Sequence, residues 1–251
     1  MSINHKPYIR IIEGSRYAVL MIHGIAGTPA HFRDLLPIIP ENWSVYNILL
    51  DGHGGTVKDF GCSSMKKWKS QTEATLQEIF QTHEKVLLVA HSMGTLFSIQ
   101  AAIAYPDKIS ALFLLAVPLR PWVRFSTVLT SLRIALQIAG PEDKAANAMK
   151  SATGTALGGN PLHYIRWLPR LVELLTETHA TRKCLPQLHT PCHCYQSRID
   201  ELVSIRSNKD LQANPCIRLT VLEHSGHFQY GESDMRLLQS ELRGLIDSMD
   251  E

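Results

Sequence analysis

The segment that decides the fold is Val86-Leu-Leu-Val-Ala-His-Ser-Met-Gly94. Its first five residues are apolar, and a segment of helical period follows it directly, which is typical of a buried strand that runs into a helix. Ser92 stands at the junction. Ala90 and Gly94, two positions before and after it, are small enough for the backbone to double back. The pattern therefore predicts a sharp strand-to-helix turn with Ser92 at its tip.

The chain on both sides of this turn alternates short aliphatic runs with longer segments of helical period, which is typical of a parallel sheet covered on both faces. The predicted strands are Tyr17–Ile22, Val45–Leu50, Lys85–Ala90, Ala111–Val117, Cys192–Gln196 and Ile217–Leu222. One predicted helix has the apolar face Met65, Trp68, Thr72, Leu76 and Ile79, with Ser63 or Ser64 as its cap, and a C-terminal helix has Leu238, Leu242, Leu245 and Met249. With 251 residues, 45% of them hydrophobic, we expect one large α/β domain.

One interval, Pro118 to about Thr190, is far longer than the two to six residues usual between a strand and its neighbour. We interpret residues 118–190 as a helical lid inserted into a core domain of residues 1–117 and 191–251. Its predicted helices are Pro121–Ile138 and Leu162–Thr178, separated by a loop over Ala156–Pro161.

The lid helices carry two apolar stripes, which we expect to cover Ser92 and to hold the apolar part of a substrate. The stripes are Trp122, Phe125, Val128, Leu129 and Leu132 in the first helix, and Leu168, Leu171, Val172 and Leu175 in the second. Phe125 and Leu171 are the candidate substrate contacts. The alternative is that both stripes pack wholly on each other and on the core domain.

The turn at Ser92 resembles the G-x-S-x-G nucleophile elbow of the α/β-hydrolase fold, with Ala90 in place of the first glycine. His23-Gly24-Ile25-Ala26-Gly27, directly after a predicted strand, resembles the H-G-x-x-G loop of the same enzymes. Two fixed backbone N–H groups at such loops stabilise the oxyanion of an acyl-transfer reaction. The resemblance implies that Ile25 and Met93 donate them.

A serine hydroxyl needs a base, and in this fold the order along the chain is serine, acid, histidine. Glu223-His-Ser-Gly-His227 follows the last predicted strand and resembles the family's S-G-H segment, so His227 is the candidate base and His224 the alternative. Gln196-Ser-Arg-Ile-Asp200 resembles the segment that carries the acid, so Asp200 is the candidate acid, ahead of Glu201 and Asp210. Asp200 could at the same time cap a following helix.

Together these motifs resemble those of the small bacterial carboxylesterases and the related monoacylglycerol lipases, over Tyr17 to Phe228. The resemblance implies hydrolysis of short- to medium-chain esters through an acyl-enzyme, without a metal or an organic cofactor. Thioester or amide hydrolysis by the same triad remains an alternative. A ligand sensor that keeps the fold is another, although such a sensor predicts a damaged triad.

Composition restricts the partners. The 25 basic and 23 acidic residues nearly cancel, so no broad positive field favours nucleic acid. The N-terminus lacks the apolar core of a signal peptide, no apolar run reaches the ~20 residues of a membrane span, and five scattered cysteines suit a reducing compartment. We therefore expect a cytoplasmic protein that binds a small-molecule ester. The sequence leaves its oligomeric state open.

Two further groups of residues are interpreted without a role in the reaction. His189, Cys192, His193 and Cys194 are of metal-binding types, but C-x-C on a buried strand lacks the ligand spacing of zinc sites, and we expect no metal. Arg120, Arg124 and Arg133 in the lid are interpreted as a solvated face, with an acidic substrate group as the alternative.

Overall fold

A seven-stranded, mostly parallel sheet forms the centre of the molecule. The computed structural model describes residues 5–120, 125–136, 138–143, 146–147, 150, 153–157 and 160–250. The strands are β1 Tyr8–Arg10, β2 Tyr17–Ile22, β3 Ser44–Asn47, β4 Lys85–His91, β5 Ile109–Leu115, β6 Cys192–Ser197 and β7 Ile217–Leu222. Their order is β1-β3-β2-β4-β5-β6-β7. β1 pairs antiparallel with β3, and every other pair is parallel. The predicted α/β class is therefore confirmed.

Helices cover both faces of this sheet. The α-helices are α1 Val57–Cys62, α2 Met65–Thr82, α3 Met93–Ala104, α4 Phe125–Ala135, α5 Leu168–Cys184, α6 Ser207–Gln212 and α7 Glu232–Asp250. Short 3₁₀ helices span Pro29–Phe32, Leu36–Ile38, Pro161–Trp167 and Leu185–Gln187. One apolar core lies between the sheet and α1, α2 and α3, and a second lies under α7 and the first two 3₁₀ helices. None of the helices in the described ranges is both long and apolar enough to cross a membrane.

The six predicted strands are all present, and the ends of four of them shift by one to three residues. β3 stops at Asn47 because the chain then turns to bring the Leu50 N–H to 3.1 Å from the ring of His23. β5 runs from Ile109 to Leu115 rather than to Val117, and Ala116 has φ +55°, which no strand accommodates. β1 has three residues and was not predicted, since an alternation that short carries no periodicity.

The predicted helical stripes of the core are buried. Met65, Trp68, Thr72, Leu76 and Ile79 are the buried residues of α2, and the Ser64 hydroxyl caps this helix by accepting from Lys67 N–H. Helix α1 was not predicted. Thr56 and Asp59 form a reciprocal capping box at its start, and this T-x-x-D spacing is a signature that could have located it.

Between β5 and β6 the chain forms the insertion, residues 118–190. α4 lies inside the first predicted helix, of which Pro121–Arg124 and Gln137 fall outside the described residues. The second predicted helix is divided: a 3₁₀ segment ends at Trp167, and α5 begins at Leu168 with Pro169 in its first turn. Proline fits the first turn but breaks a helix interior. The two pieces therefore cannot form one α-helix.

The described segment 153–157 joins the insertion to the core. Gly154 N–H donates to Ala26 O at 2.8 Å, and Ala156 N–H donates to Gly55 O at 2.8 Å. A Cβ on Gly154 would lie 1.9 Å from Gly27 O. The insertion thus packs directly on the loop that follows β2, where only glycine allows the two backbones to approach so closely.

Candidate active site

Ser92 lies on a strained turn between β4 and α3. Its backbone has φ +51° and ψ −122°, a conformation that L-residues rarely adopt and that recurs at functional sites. Its N–H donates to Leu115 O at 2.9 Å, and its carbonyl accepts from the N–H and the hydroxyl of Thr95. These bonds on both sides hold the turn in place, so the side chain projects from the carboxyl end of the sheet.

The turn requires close packing against the end of β2. A Cβ on Gly94 would lie 2.2 Å from Ile22 O, so no larger residue fits there. A Cβ on Gly24 would lie 2.8 Å from the Cβ of Ser92. The H-G-x-x-G loop and the serine turn are therefore in direct contact, as their resemblance to a single catalytic unit predicts.

Ile25 and Met93 are placed on these two elements. Met93 begins α3, where backbone N–H groups have no partner inside the helix. Ile25 lies in the loop closed by the Gly27 N–H to Gly24 O bond of 2.9 Å. Within the described ranges neither N–H donates to another protein group.

His23 fixes the conformation of this loop. Leu50 N–H donates to its Nε2, so the proton is on Nδ1, which donates to Gly24 O at 2.9 Å. Complete burial lowers the pKa of His23 well below its usual range, and nearby His53 lowers it further. A neutral ring in one tautomer therefore supports the loop.

Asp200 and His227 form a buried pair. Asp200 Oδ2 accepts from His227 Nδ1 at 2.9 Å, and both side chains are nearly inaccessible. Oδ1 of Asp200 accepts the N–H groups of Leu202 and Val203 at 2.7 Å each. Because a carboxylate only accepts, Nδ1 of His227 carries the proton of this bond, so that in the neutral ring Nε2 is the nitrogen with the lone pair. This is the tautomer that a general base requires.

Carboxylates that the sequence did not single out hold the His227 loop. Glu201 Oε2 accepts the His227 N–H at 2.7 Å, and Asp234 accepts the Ser225 hydroxyl at 2.6 Å and the His224 N–H at 2.8 Å. Glu201 was recognised only as a neighbour of the acid, and Asp234 lies in α7 without a motif of its own. Only the folded chain brings it to this loop.

His91 connects His227 to the serine turn. Its Nε2 donates to the His227 carbonyl at 3.2 Å, the two rings lie 4.8 Å apart, and His31 stacks on its other side at 3.8 Å. Burial lowers the pKa of His91 well below its usual range and that of His31 to about 3, with smaller contributions from the neighbouring histidines. Both rings are neutral at neutral pH and bring no positive charge beside His227.

His227 thus lies beside the residue that precedes Ser92. Within the described part of the chain the Ser92 hydroxyl makes no hydrogen bond to His227. Such bonds are often long in an enzyme without substrate and shorten in the reactive complex.

A cleft of about 780 Å³ opens beside the His227 loop. Its walls include His31, Phe228 and Tyr230, together with the ion pairs Arg33–Asp34 and Glu232–Arg236. A volume of this size accommodates a small molecule.

The remaining predicted site residues lie in the insertion. Phe125 begins α4, but its side chain is outside the described part, as is all of Trp122. Leu171 lies on α5 and is 48% exposed, and the other members of its stripe are as exposed or more so. This stripe therefore does not pack wholly on the protein, because no described element covers that side of α5.

The arginines of the insertion were interpreted as a solvated face, and the two described ones are both partly exposed and ion-paired. Arg120 binds Asp210 through two nitrogens, and Arg133 binds Asp143, while Arg124 is outside the described residues. Cys192 and Cys194 are buried on one face of β6, with their sulfurs 3.5 Å apart. The described residues contain no group of three potential ligands arranged to hold a metal ion.

Comparisons with known proteins agree with this architecture. The family model described as "Serine aminopeptidase, S33" matches residues 13–234. No curated protein sequence matches the chain. A metagenome-derived lipolytic enzyme of the pair LipS and LipT aligns with a TM-score of 0.72 and 20% identity, over 97% of this chain and 98% of that one.

Two further solved structures share the fold. The monoacylglycerol lipase of Paleococcus ferrophilus aligns with a TM-score of 0.64 and 15% identity, over 95% of this chain and 99% of the lipase. The thioesterase domain from the curacin biosynthetic pathway aligns with a TM-score of 0.59 and 19% identity, over 96% and 93%. The family model spans most of the chain, and the chain therefore belongs to the serine aminopeptidase S33 family of α/β hydrolases.

Proposed function

We propose that this hydrolase is a carboxylesterase that cleaves small esters of short to medium acyl chain, with Ser92 as nucleophile, His227 as base and Asp200 as the acid that orients the base. The observation that carries the proposal is the buried Asp200–His227 hydrogen bond of 2.9 Å, beside a serine on a strained turn. This arrangement matches the roles by which a serine triad is recognised on any fold.

The reaction proceeds in two stages, acylation and then deacylation of Ser92. His227 Nε2 takes the Ser92 proton as Oγ attacks the ester carbon, and the carbonyl oxygen becomes an oxyanion held by the N–H groups of Ile25 and Met93. The imidazolium then protonates the leaving alcohol, and the C–O bond breaks to give an acyl-serine. Water repeats the sequence, which releases the carboxylic acid and restores Ser92.

The solved structures that share this fold support an ester substrate, since they include lipolytic enzymes, a monoacylglycerol lipase and a thermophilic esterase. The family description suggests an aminopeptidase instead. An aminopeptidase must hold a free α-ammonium group. The two carboxylates that line the 780 Å³ cleft, Asp34 and Glu232, already pair with arginines, and this favours the ester.

We also propose that the insertion, residues 118–190, acts as a lid over Ser92. The exposed apolar stripe of α5, which includes Leu171, is available to an acyl chain, and Phe125 would contribute from α4. The contact of Gly154 with the Ile25 loop joins this lid to the proposed oxyanion hole. A cytoplasmic location remains a proposal, supported by five free thiols that a reducing compartment would maintain.

A panel of p-nitrophenyl esters from acetate to laurate, matched acyl thioesters and aminoacyl p-nitroanilides tests the activity. We expect turnover of esters to exceed that of anilides. Ser92→Ala should lower kcat by about a thousandfold or more, as loss of a triad nucleophile does. A serine-directed phosphonate should label the wild type alone. Retention of most activity by a folded Ser92→Ala protein would contradict the mechanism, and faster thioester or anilide cleavage would reassign the substrate.

A further inference from the structure

A second cavity, of about 390 Å³, lies between α5 and the segment that follows Asp200. We call it the arginine cavity. Its lining includes Arg120, Leu175, Thr178, His179, Arg182 and Arg206. It is separate from the cleft beside the His227 loop, with which it shares no lining residue.

Two of its arginines carry uncompensated charge. Arg120 is neutralised by Asp210, at 2.6 and 3.0 Å. Arg182 and Arg206 form no ion pair with any carboxylate in the described ranges, and none of the lining residues is acidic. Guanidinium groups present rigid donors that match the oxygens of a carboxylate or a phosphate. The cavity therefore presents net positive charge and free donors.

A buried hydroxyl in the lining of the arginine cavity lacks a hydrogen-bond partner. Thr178 is 4% exposed, lines the cavity, and has an Oγ1 without a hydrogen-bond partner. Buried polar atoms in proteins are nearly always paired, and an unpaired one calls for an explanation. A ligand oxygen between Arg182 and Arg206 would supply the partner.

The position of the cavity relates it to the proposed triad. The Ser204 N–H donates to Arg120 O at 3.1 Å, and Ser204 follows Asp200 by four residues. Leu175 lines the cavity and belongs to the exposed apolar stripe of α5. A ligand with an anionic end in the cavity would thus lay an apolar segment along this stripe.

We infer that the arginine cavity binds the anionic end of an amphiphilic ester substrate, a carboxylate or phosphate carried on the acyl chain. This inference rests on the proposed esterase function. In such a complex, the acyl length would have to match the separation between Ser92 and the arginine cavity.

Kinetics with mono-p-nitrophenyl esters of dicarboxylic acids, succinate to sebacate, test this against neutral esters of equal length. We expect the anionic series to pass through an optimum length that the neutral series lacks. Arg182→Gln/Arg206→Gln should lower kcat/KM for the anionic series by about 10- to 100-fold, the range for hydrogen bonds to charged groups, and leave the neutral series unchanged. Arg243→Gln, an exposed arginine on α7, is the matched control. Equal losses in both series would overturn the inference.

Binding measured without turnover separates this inference from the esterase proposal. By calorimetry, octanoate and octyl phosphate should bind at least about tenfold more tightly than octanol, and the comparison of the two shows which anion is preferred. Thr178→Val should weaken this binding without lowering thermal stability, because its hydroxyl has no protein partner to lose. If neither anion outcompetes octanol, the cavity is not an anion site, even in an active esterase. If no ester is cleaved, the esterase proposal fails while the calorimetry still decides the binding.

Discussion

Helix α2 of the core and helix α5 of the insertion carry the same sequence signal in opposite environments. The apolar residues of α2 at helical spacing, such as Trp68 and Leu76, are inaccessible. Those of α5, including Leu171 and Leu175, are about half exposed. Periodicity predicted a helix in both places, although the bounds in the insertion were wrong, and it specifies only that a face is apolar, not what will cover it.

This difference between α2 and α5 indicates different roles for the core and the insertion. In the core, Asp200 and His227 are held by defined hydrogen bonds to each other and to Leu202, Val203 and Glu201. In the insertion, the apolar face of α5 is exposed, and Arg182 forms no ion pair in the described ranges, although its Nη2 hydrogen-bonds the Nδ1 of His179 at 3.4 Å. We therefore expect the core to carry the chemistry and the insertion to select the substrate.

The largest expected effect tests whether the core carries the chemistry. His227→Ala should lower kcat by about a thousandfold or more for every ester, because it removes the proposed base for the Ser92 proton. His224→Ala, three residues away and exposed, is the matched control and should stay within about twofold. Steady-state kinetics of both variants decide the assignment. A large loss in His224→Ala alone would transfer the role of base to His224.

The second effect concerns stability against pH. Burial lowers the pKa of His31 to about 3 and that of His53 to about 4, against about 6.5 in the unfolded chain. Between pH 6.5 and 4 the unfolded state therefore binds more protons, so the free energy of unfolding falls as the pH falls. Each histidine contributes a slope of up to ~1.4 kcal/mol per pH unit.

Urea unfolding at pH 7 and pH 5 measures this slope. His53→Phe keeps the packing against Phe60 and Trp68 but removes one titrating group, and it should reduce the slope by that group's share. An unchanged slope in His53→Phe would show that this buried ring is not a source of the pH dependence.

Most of the core could be predicted from the sequence because local pattern and final environment agree there. The strand into Ser92, the glycine-rich loop at Gly24 and the S-G-H segment at His227 are each short and contiguous. The supporting contacts could not be predicted. Gly154 reaches the site from a distant part of the chain, and Asp234 from the helix that follows the His227 loop, and neither has a local motif. Their roles depend on tertiary proximity, which periodicity does not encode.

The third effect tests the junction between the two regions. Gly154→Ala would place a methyl group against Gly27 O and should displace the loop that carries the Ile25 N–H. Because loss of one oxyanion donor costs about 100- to 1000-fold, a partial displacement should lower kcat by about 10- to 100-fold. Gly140→Ala, where a Cβ meets nothing within 4 Å, is the matched control. Equal kcat values for the two variants would show that contact with the insertion does not hold the loop that carries the Ile25 N–H.

The smallest expected effect lies on the exposed stripe itself, and it decides between a structural and a functional reason for its apolar character. Leu171→Ala should change the free energy of unfolding by less than about 0.5 kcal/mol, as exposed substitutions do, whereas Leu76→Ala in α2 should lower it by about 2–5 kcal/mol. If acyl chains pack on Leu171, each buried methylene contributes about 0.8 kcal/mol. The rise in kcat/KM from acetate to laurate should then flatten in Leu171→Ala. An unchanged chain-length profile in the stable variant would remove Leu171 from the acyl site.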